Sequence, residues 1–136
     1  MIAPSRPLPI AHPDPEVDLT RGYVSAVVMA LAGRDIEVDR SWLDPRDPID
    51  ATILMESMAL VWDEWRGWTA GRYVSGAPGE RTVLEDSVSL GGGIALDPAH
   101  VAHLVKAGRV EAPVRARSRA DVHDGLFDTL RGFDAL

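Results

Sequence analysis

The 136-residue sequence predicts an α+β fold, an antiparallel sheet of four to five strands with flanking helices packed on one face. Three observations lead there. Leu19, Tyr23, Val24, Val27, Val28 and Leu31 recur at helical spacing near the N-terminus. Between residues 36 and 90, apolar stretches are separated only by short turn-rich segments, the pattern of consecutive antiparallel strands. Val101, Leu104 and Val105 then return to helical spacing, giving the order α-β-β-β-β-(β)-α-α.

Each element has a local cause. Residues 1–13 carry proline at 4, 7, 9 and 13, which disfavours helix and ladder alike, so this stretch reads as an extended, flexible arm. The first helix starts at Asp14 or Asp18 as N-cap, with Pro15 tolerated in the opening turn, and stops at Gly33 in a left-handed conformation. Ile36, Val38 and Trp42 alternate with polar residues, which predicts a half-buried strand over 36–42. Asp44-Pro45-Arg46-Asp47-Pro48 breaks it, and a second strand runs from about Ala51 to Glu56.

The third and fourth strands form a hairpin around Trp62-Asp63-Glu64-Trp65-Arg66-Gly67-Trp68, which holds three of the four tryptophans. Gly67 suits the positive φ that closes such a loop. Trp65 falls within the turn, so it cannot be buried on the same side as Trp62 and Trp68. Residues 76–80 read as a surface loop, and 82–90 as one more strand broken at Glu85-Asp86. Gly91-Gly92-Gly93 acts as a hinge before a helix opened by Asp97-Pro98 and closed by Gly108. Residues 109–118 alternate basic and apolar side chains. Ser118-Arg119-Ala120-Asp121 resembles a capping box, leading to a last stripe of Val122, Leu126, Phe127, Leu130 and Phe133. The chain thus divides into an arm (1–13), an α+β domain (14–108) and a basic segment with a C-terminal helix (109–136).

Composition narrows the function. With no cysteine, disulfides, thiolate metal sites and cysteine nucleophiles are excluded. No segment has the length and apolarity of a membrane span, and the proline-rich start is no signal peptide, so a soluble, cytoplasmic protein is expected. The net charge is −7, and the stretch from Asp35 to Glu64 alone holds nine acids against Arg40 and Arg46. That surface repels phosphate backbones and favours a basic partner, although a solvated face that aids solubility is the plainer reading. Thirteen arginines against one lysine suggest a GC-rich coding genome.

Tyr23-Val24 in a first helix, Leu60 to Glu64 with Gly67-Trp68 in a hairpin, and Leu96-Asp97-Pro98 with Val101-Ala102 in a late helix resemble the actinobacterial domains grouped as domain-of-unknown-function family 6292. The likeness covers about residues 18–108. It implies a fold outline and transfers no catalytic residue, and the triple glycine and arginine-rich tail depart from its pattern.

The candidate chemistry is sparse. Asp63 and Glu64 beside tryptophans suggest a small hydrolase or sugar-binding cleft, against which stands the ordinary use of acids in a hairpin turn. His100 and His103 with Asp97 have partial metal-ligand spacing, but the sequence points to no ligand or second shell that would complete a site, so no metal is assigned. The triple glycine lacks the Lys-Ser/Thr of a phosphate loop, and no cofactor is assigned. Arg115, Arg117 and Arg119 form a basic patch suited to nucleic acid or to the acidic 35–64 region of the same chain or a second copy. No catalytic residue is assigned. The reading that results is a non-enzymatic interaction or regulatory module, self-associating as a homodimer or binding another protein. Its contacts are Trp62, Trp65, Trp68, Asp63 and Glu64 on the hairpin, or the acidic surface, with Arg115, Arg117 and Arg119. The alternatives are the hydrolase or sugar-binding domain and a nucleic-acid-associated accessory protein acting through the arginine tail; nucleic acid is disfavoured by the overall charge.

Overall fold

Asp14 caps the first turn, its carboxylate accepting from the Glu16 amide at 3.0 Å. In the computed structural model, which describes residues 8–44, 48–121 and 123–133, that turn is α1 (Pro15–Asp18). The predicted first helix is in fact two pieces. Thr20 is fully buried and its hydroxyl donates back to the Val17 carbonyl at 2.8 Å, ending α1 before α2 (Arg21–Ala32) begins. Nor does Gly33 turn left-handed, since its φ is −66°. Asp35 does so instead (φ 60°), with its amide on the Ala32 carbonyl and the Ile36 amide on the Leu31 carbonyl. That double closure is a Schellman motif, and a short polar side chain tolerates its left-handed position.

The five strands are β1 (Arg40–Asp44), β2 (Asp50–Leu54), β3 (Met58–Asp63), β4 (Gly67–Ala77) and β5 (Glu80–Ser89), antiparallel in the order β1-β2-β3-β4-β5. The first strand lies later than the predicted 36–42. Its ladder starts at Arg40 because β2 offers no partner beyond Leu54, and Ile36 and Val38 bury their side chains outside it. The second strand stops at Leu54, where the Met55 amide bonds the Met58 carbonyl to make the turn. The presumed loop at 76–80 is only a two-residue turn at Pro78-Gly79. The break foreseen at Glu85-Asp86 is a bulge in a continuous β5: Arg72 pairs Glu85 and Ala70 pairs Val88, so β5 carries one extra residue there. Pro45, Arg46 and Asp47 of the predicted turn lie outside the described residues, as do arm residues 1–7 and Val122 of the predicted C-terminal stripe.

Cross-strand partners place Leu43, Ala51, Ile53, Leu60, Trp62, Trp68 and Ala70 on one face of the sheet. The helices α2 and α3 (Pro98–Ala107) cover it, together with α4 (Leu126–Arg131), whose Leu126 and Leu130 join the core. Tyr23 is the hub. Its ring lies 6.1 Å from Trp62 and from Trp68 and 5.1 Å from Phe133, while its hydroxyl accepts from Trp68 Nε1 (2.9 Å) and donates to the Leu96 carbonyl. Trp62 Nε1 donates to the Ile94 carbonyl at 2.7 Å. Both indole N–H groups are thereby satisfied inside the core, which is the condition for burying them without loss.

The opposite face is closed by the sheet itself. The far end of the β4–β5 hairpin folds back until Thr82 Oγ1 sits 2.6 Å from Thr52 Oγ1, three strands away in the order. Gly91 (φ +71°) is a packing element where a hinge was expected. A Cβ there would fall 2.4 Å from the Glu111 carbonyl oxygen, so glycine lets residues 111–112 bond Leu90 and Gly92. Asp97 caps α3 and Gly108 (φ 64°) ends it left-handed, as its sequence predicts.

Candidate functional site

The tryptophan hairpin is built for stability. Trp62 and Trp68 face each other across β3 and β4 and are 0% and 1% exposed, whereas Trp65 at the tip is half-buried. Asp63 Oδ1 accepts from the Trp65 and Arg66 amides at 2.8 and 2.7 Å, holding the three-residue loop that Gly67 (φ +82°) closes. Glu64 is buried and its Oε2 accepts from the Ile49 amide at 2.7 Å. Both acids of the suggested cleft are therefore engaged by backbone amides, and the two buried tryptophans present no ring to a sugar.

Of the three tail arginines, Arg117 is the one at the hairpin. Its guanidinium lies 5.3 Å from the Trp65 ring centre and 5.9 Å from Phe127, donates to the Glu64 carbonyl at 2.7 Å, and forks onto Asp124 at 2.7 and 3.2 Å. Its amide also bonds the Trp65 carbonyl. The chain's own tail thus covers much of the tryptophan tip. Arg115 forks onto Asp121, holding that carboxyl down to about 2, and its side chain stays 75% exposed. Arg119 opens a 3-10 turn (Arg119–Asp121), and its side chain lies outside the described residues. Only half of the predicted capping box forms around that turn: Asp121 Oδ2 accepts from the Ser118 amide, but Ser118 Oγ accepts from the Ala120 amide instead of that of Asp121, and α4 itself starts five residues later.

Beneath the folded-back β4–β5 end lies a buried acid pair that sequence reasoning missed. Asp44 and Asp50 are direct cross-strand partners, 1% and 7% exposed. Arg81 reaches over from β5 to within 3.0 Å of Asp50 Oδ1 and donates to the Pro48 carbonyl. Burial, then the neighbouring Asp50, pushes the Asp44 carboxyl up to about 8, against the pull of the Gly79 amide and Arg81. Burial also raises Asp50, but its bond with Asp44 and the Arg81 charge oppose that. The pair is best described as one proton on Asp44 and one charge on Asp50 facing Arg81.

The acidic stretch 35–64 acquires its shape at the other end of the sheet. The α2–β1 connection, the β2–β3 turn and the C-terminal turn of α3 enclose a groove of about 650 Å³. Buried Met55 and half-buried Ile36, Met58 and Val105 make its floor, while Asp35, Glu37, Asp39 and Glu56 stand exposed around it with Lys106 as the basic member. None of the four carboxylates is in an ion pair among the described residues. The acids were visible as a run, yet Met55 and Met58 come from the β2–β3 turn, Ile36 from the α2–β1 connection and Val105 from α3, and no periodicity brings them together.

His100 pairs with Glu111 at 2.9 Å and stacks on His103, while Asp97 is occupied as the helix cap. Among the described residues, no three His, Asp or Glu side chains gather as for a metal ion, and no helix is long and apolar enough to cross a membrane.

A family of unknown function, DUF6292, matches residues 23–107, from the core tyrosine to the last residue of α3. The chain belongs to that family. The DUF6292 span takes in the three buried tryptophans Trp42, Trp62 and Trp68, the acid pair and the whole acidic groove, and leaves out the arginine-rich tail. No curated protein and no solved structure matches the chain.

Proposed function

We propose that this domain is a non-enzymatic, cytoplasmic protein-interaction module that receives a basic segment with apolar anchors in the groove between Ile36, Met55, Met58 and Val105. The observation that carries this reading is an apolar floor bordered by four exposed carboxylates without ion-pair partners among the described residues. Methionine adapts its unbranched side chain to whatever apolar group enters, and the acids select cations and speed encounter. The same acids repel a nucleic-acid backbone.

The test is a fluorescence-anisotropy titration with a labelled peptide alternating Arg and Val, and with its counterpart carrying Glu for Arg. Binding of the basic peptide is expected, weakening with salt, and Glu37→Lys with Glu56→Lys should weaken it by about tenfold or more. Equal binding of the acidic peptide, or indifference to the charge reversal, overturns the reading.

A further inference from the structure

We infer that the occupant of the groove is residues 109–115 of a second copy of this chain, so that two copies exchange their basic segments reciprocally. This rests on the groove reading above and adds the identity of the partner. The segment Arg109-Val110-Glu111-Ala112-Pro113-Val114-Arg115 contains no helix or strand residue. If it lies extended, Val110, Ala112 and Val114 share one face while Arg109 and Arg115 share the other. Val110 and Val114 are 52% and 43% exposed, so two branched apolar side chains stand in solvent beside the arginines. That face matches the floor of the groove, and the arginines match its rim. The one acid of the segment, Glu111, is already held by His100 at 2.9 Å. The Arg115–Asp121 pair is exposed, the kind of ion pair that exchanges at little cost.

Position supports the exchange. Val105 and Lys106 form one wall of the groove, and the segment begins at Arg109 directly beyond Gly108. The segment thus leaves the groove at Arg109, and its middle is seated by the backbone bonds of Glu111 and Ala112 to Leu90 and Gly92 of the same chain, with the side chains of Val110, Ala112 and Val114 exposed. A two-fold axis near Gly108 lets each copy lay the exposed face of its segment, still seated on Leu90 and Gly92, against the groove of the other, giving a closed, self-complementary interface.

Sedimentation velocity on the full chain tests this with two charge-reversed variants, Arg109→Glu with Arg115→Glu, and Glu37→Arg with Glu56→Arg. The wild type should be a dimer that weakens in high salt, and each variant alone should dissociate with a constant raised by about tenfold or more. Mixing the two variants should restore a dimer, because each segment then meets a groove of opposite sign. Circular dichroism checks that each variant is folded. As the chain lacks cysteine, a Val114→Cys protein mixed with a Met58→Cys protein gives a second readout, a cross-link between copies. A monomeric wild type that still binds the basic peptide overturns the exchange and leaves the groove reading standing. A monomer that binds no basic peptide overturns both. A dimer that survives both reversals, with no cross-link, places the interface elsewhere and overturns the exchange.

Discussion

Replacing Trp62 by alanine should cost about 3–5 kcal/mol of stability, the range for removing a large aromatic from a packed core. Trp62 is 0% exposed, touches Tyr23 edge-on, faces Trp68 across the ladder, and donates to the Ile94 carbonyl. Its loss leaves a cavity between α2 and the sheet and takes the indole donor away from the half-buried Ile94 carbonyl. Trp65→Ala should cost far less, about 1 kcal/mol, since the half-buried ring at the hairpin tip chiefly loses its contact with Arg117. Urea denaturation of the two variants reads the difference. Equal losses would mean that the tip carries as much of the fold as the core.

Asp44→Asn should stabilise the protein at neutral and mildly alkaline pH, by about 1–2 kcal/mol, and flatten its pH dependence. In the folded protein, burial and Asp50 raise the Asp44 carboxyl to about 8, well above its unfolded value. The folded state then binds a proton that the unfolded chain has already lost. Stability is accordingly greatest on the acid side and falls as pH rises from the ordinary carboxylate range through about 8, at no more than about 1.4 kcal/mol per pH unit. Asparagine mimics the protonated form and removes that slope. Arg81→Ala acts in the opposite direction, leaving the Asp50 charge uncompensated under the folded-back hairpin. Thermal melts between pH 5 and pH 9 (roughly the interval the raised carboxyl spans) check both variants. An unchanged slope in Asp44→Asn would show that the pair is ionised throughout.

The elements legible in the sequence are those whose signals are local. The Trp-Asp-Glu…Gly-Trp pattern specifies β3 and β4 because Asp63 and Gly67 each satisfy a need of the turn between them. Asp97, Pro98 and Gly108 mark both ends of α3 for the same reason. What escaped depends on distant residues. Ile36 and Val38 alternate like a strand, but a ladder also needs a partner, and β2 ends before it reaches them. Thr52 and its cross-strand partner Trp42 lie on the sheet face away from the helices, yet they are 0% and 4% exposed. Two bulged strands bring Thr82 and Arg81 back over that face, and a bend of that kind leaves little trace in periodicity. The groove is likewise a product of topology: its acids form a visible run, whereas its floor is assembled from three chain segments.

The most direct measurement is methionine-methyl NMR of the full chain during titration with the Arg-Val peptide, with Met29, Met55 and Met58 assigned by single Met→Leu variants. Met29 is 60% exposed on α2 and does not line the groove, so it reports non-specific adsorption, whereas Met55 and Met58 form the floor. Saturable shifts of Met55 and Met58 with Met29 unmoved are the predicted result. Shifts confined to Met29, or none at all, would contradict the assignment of the acidic groove as the binding site.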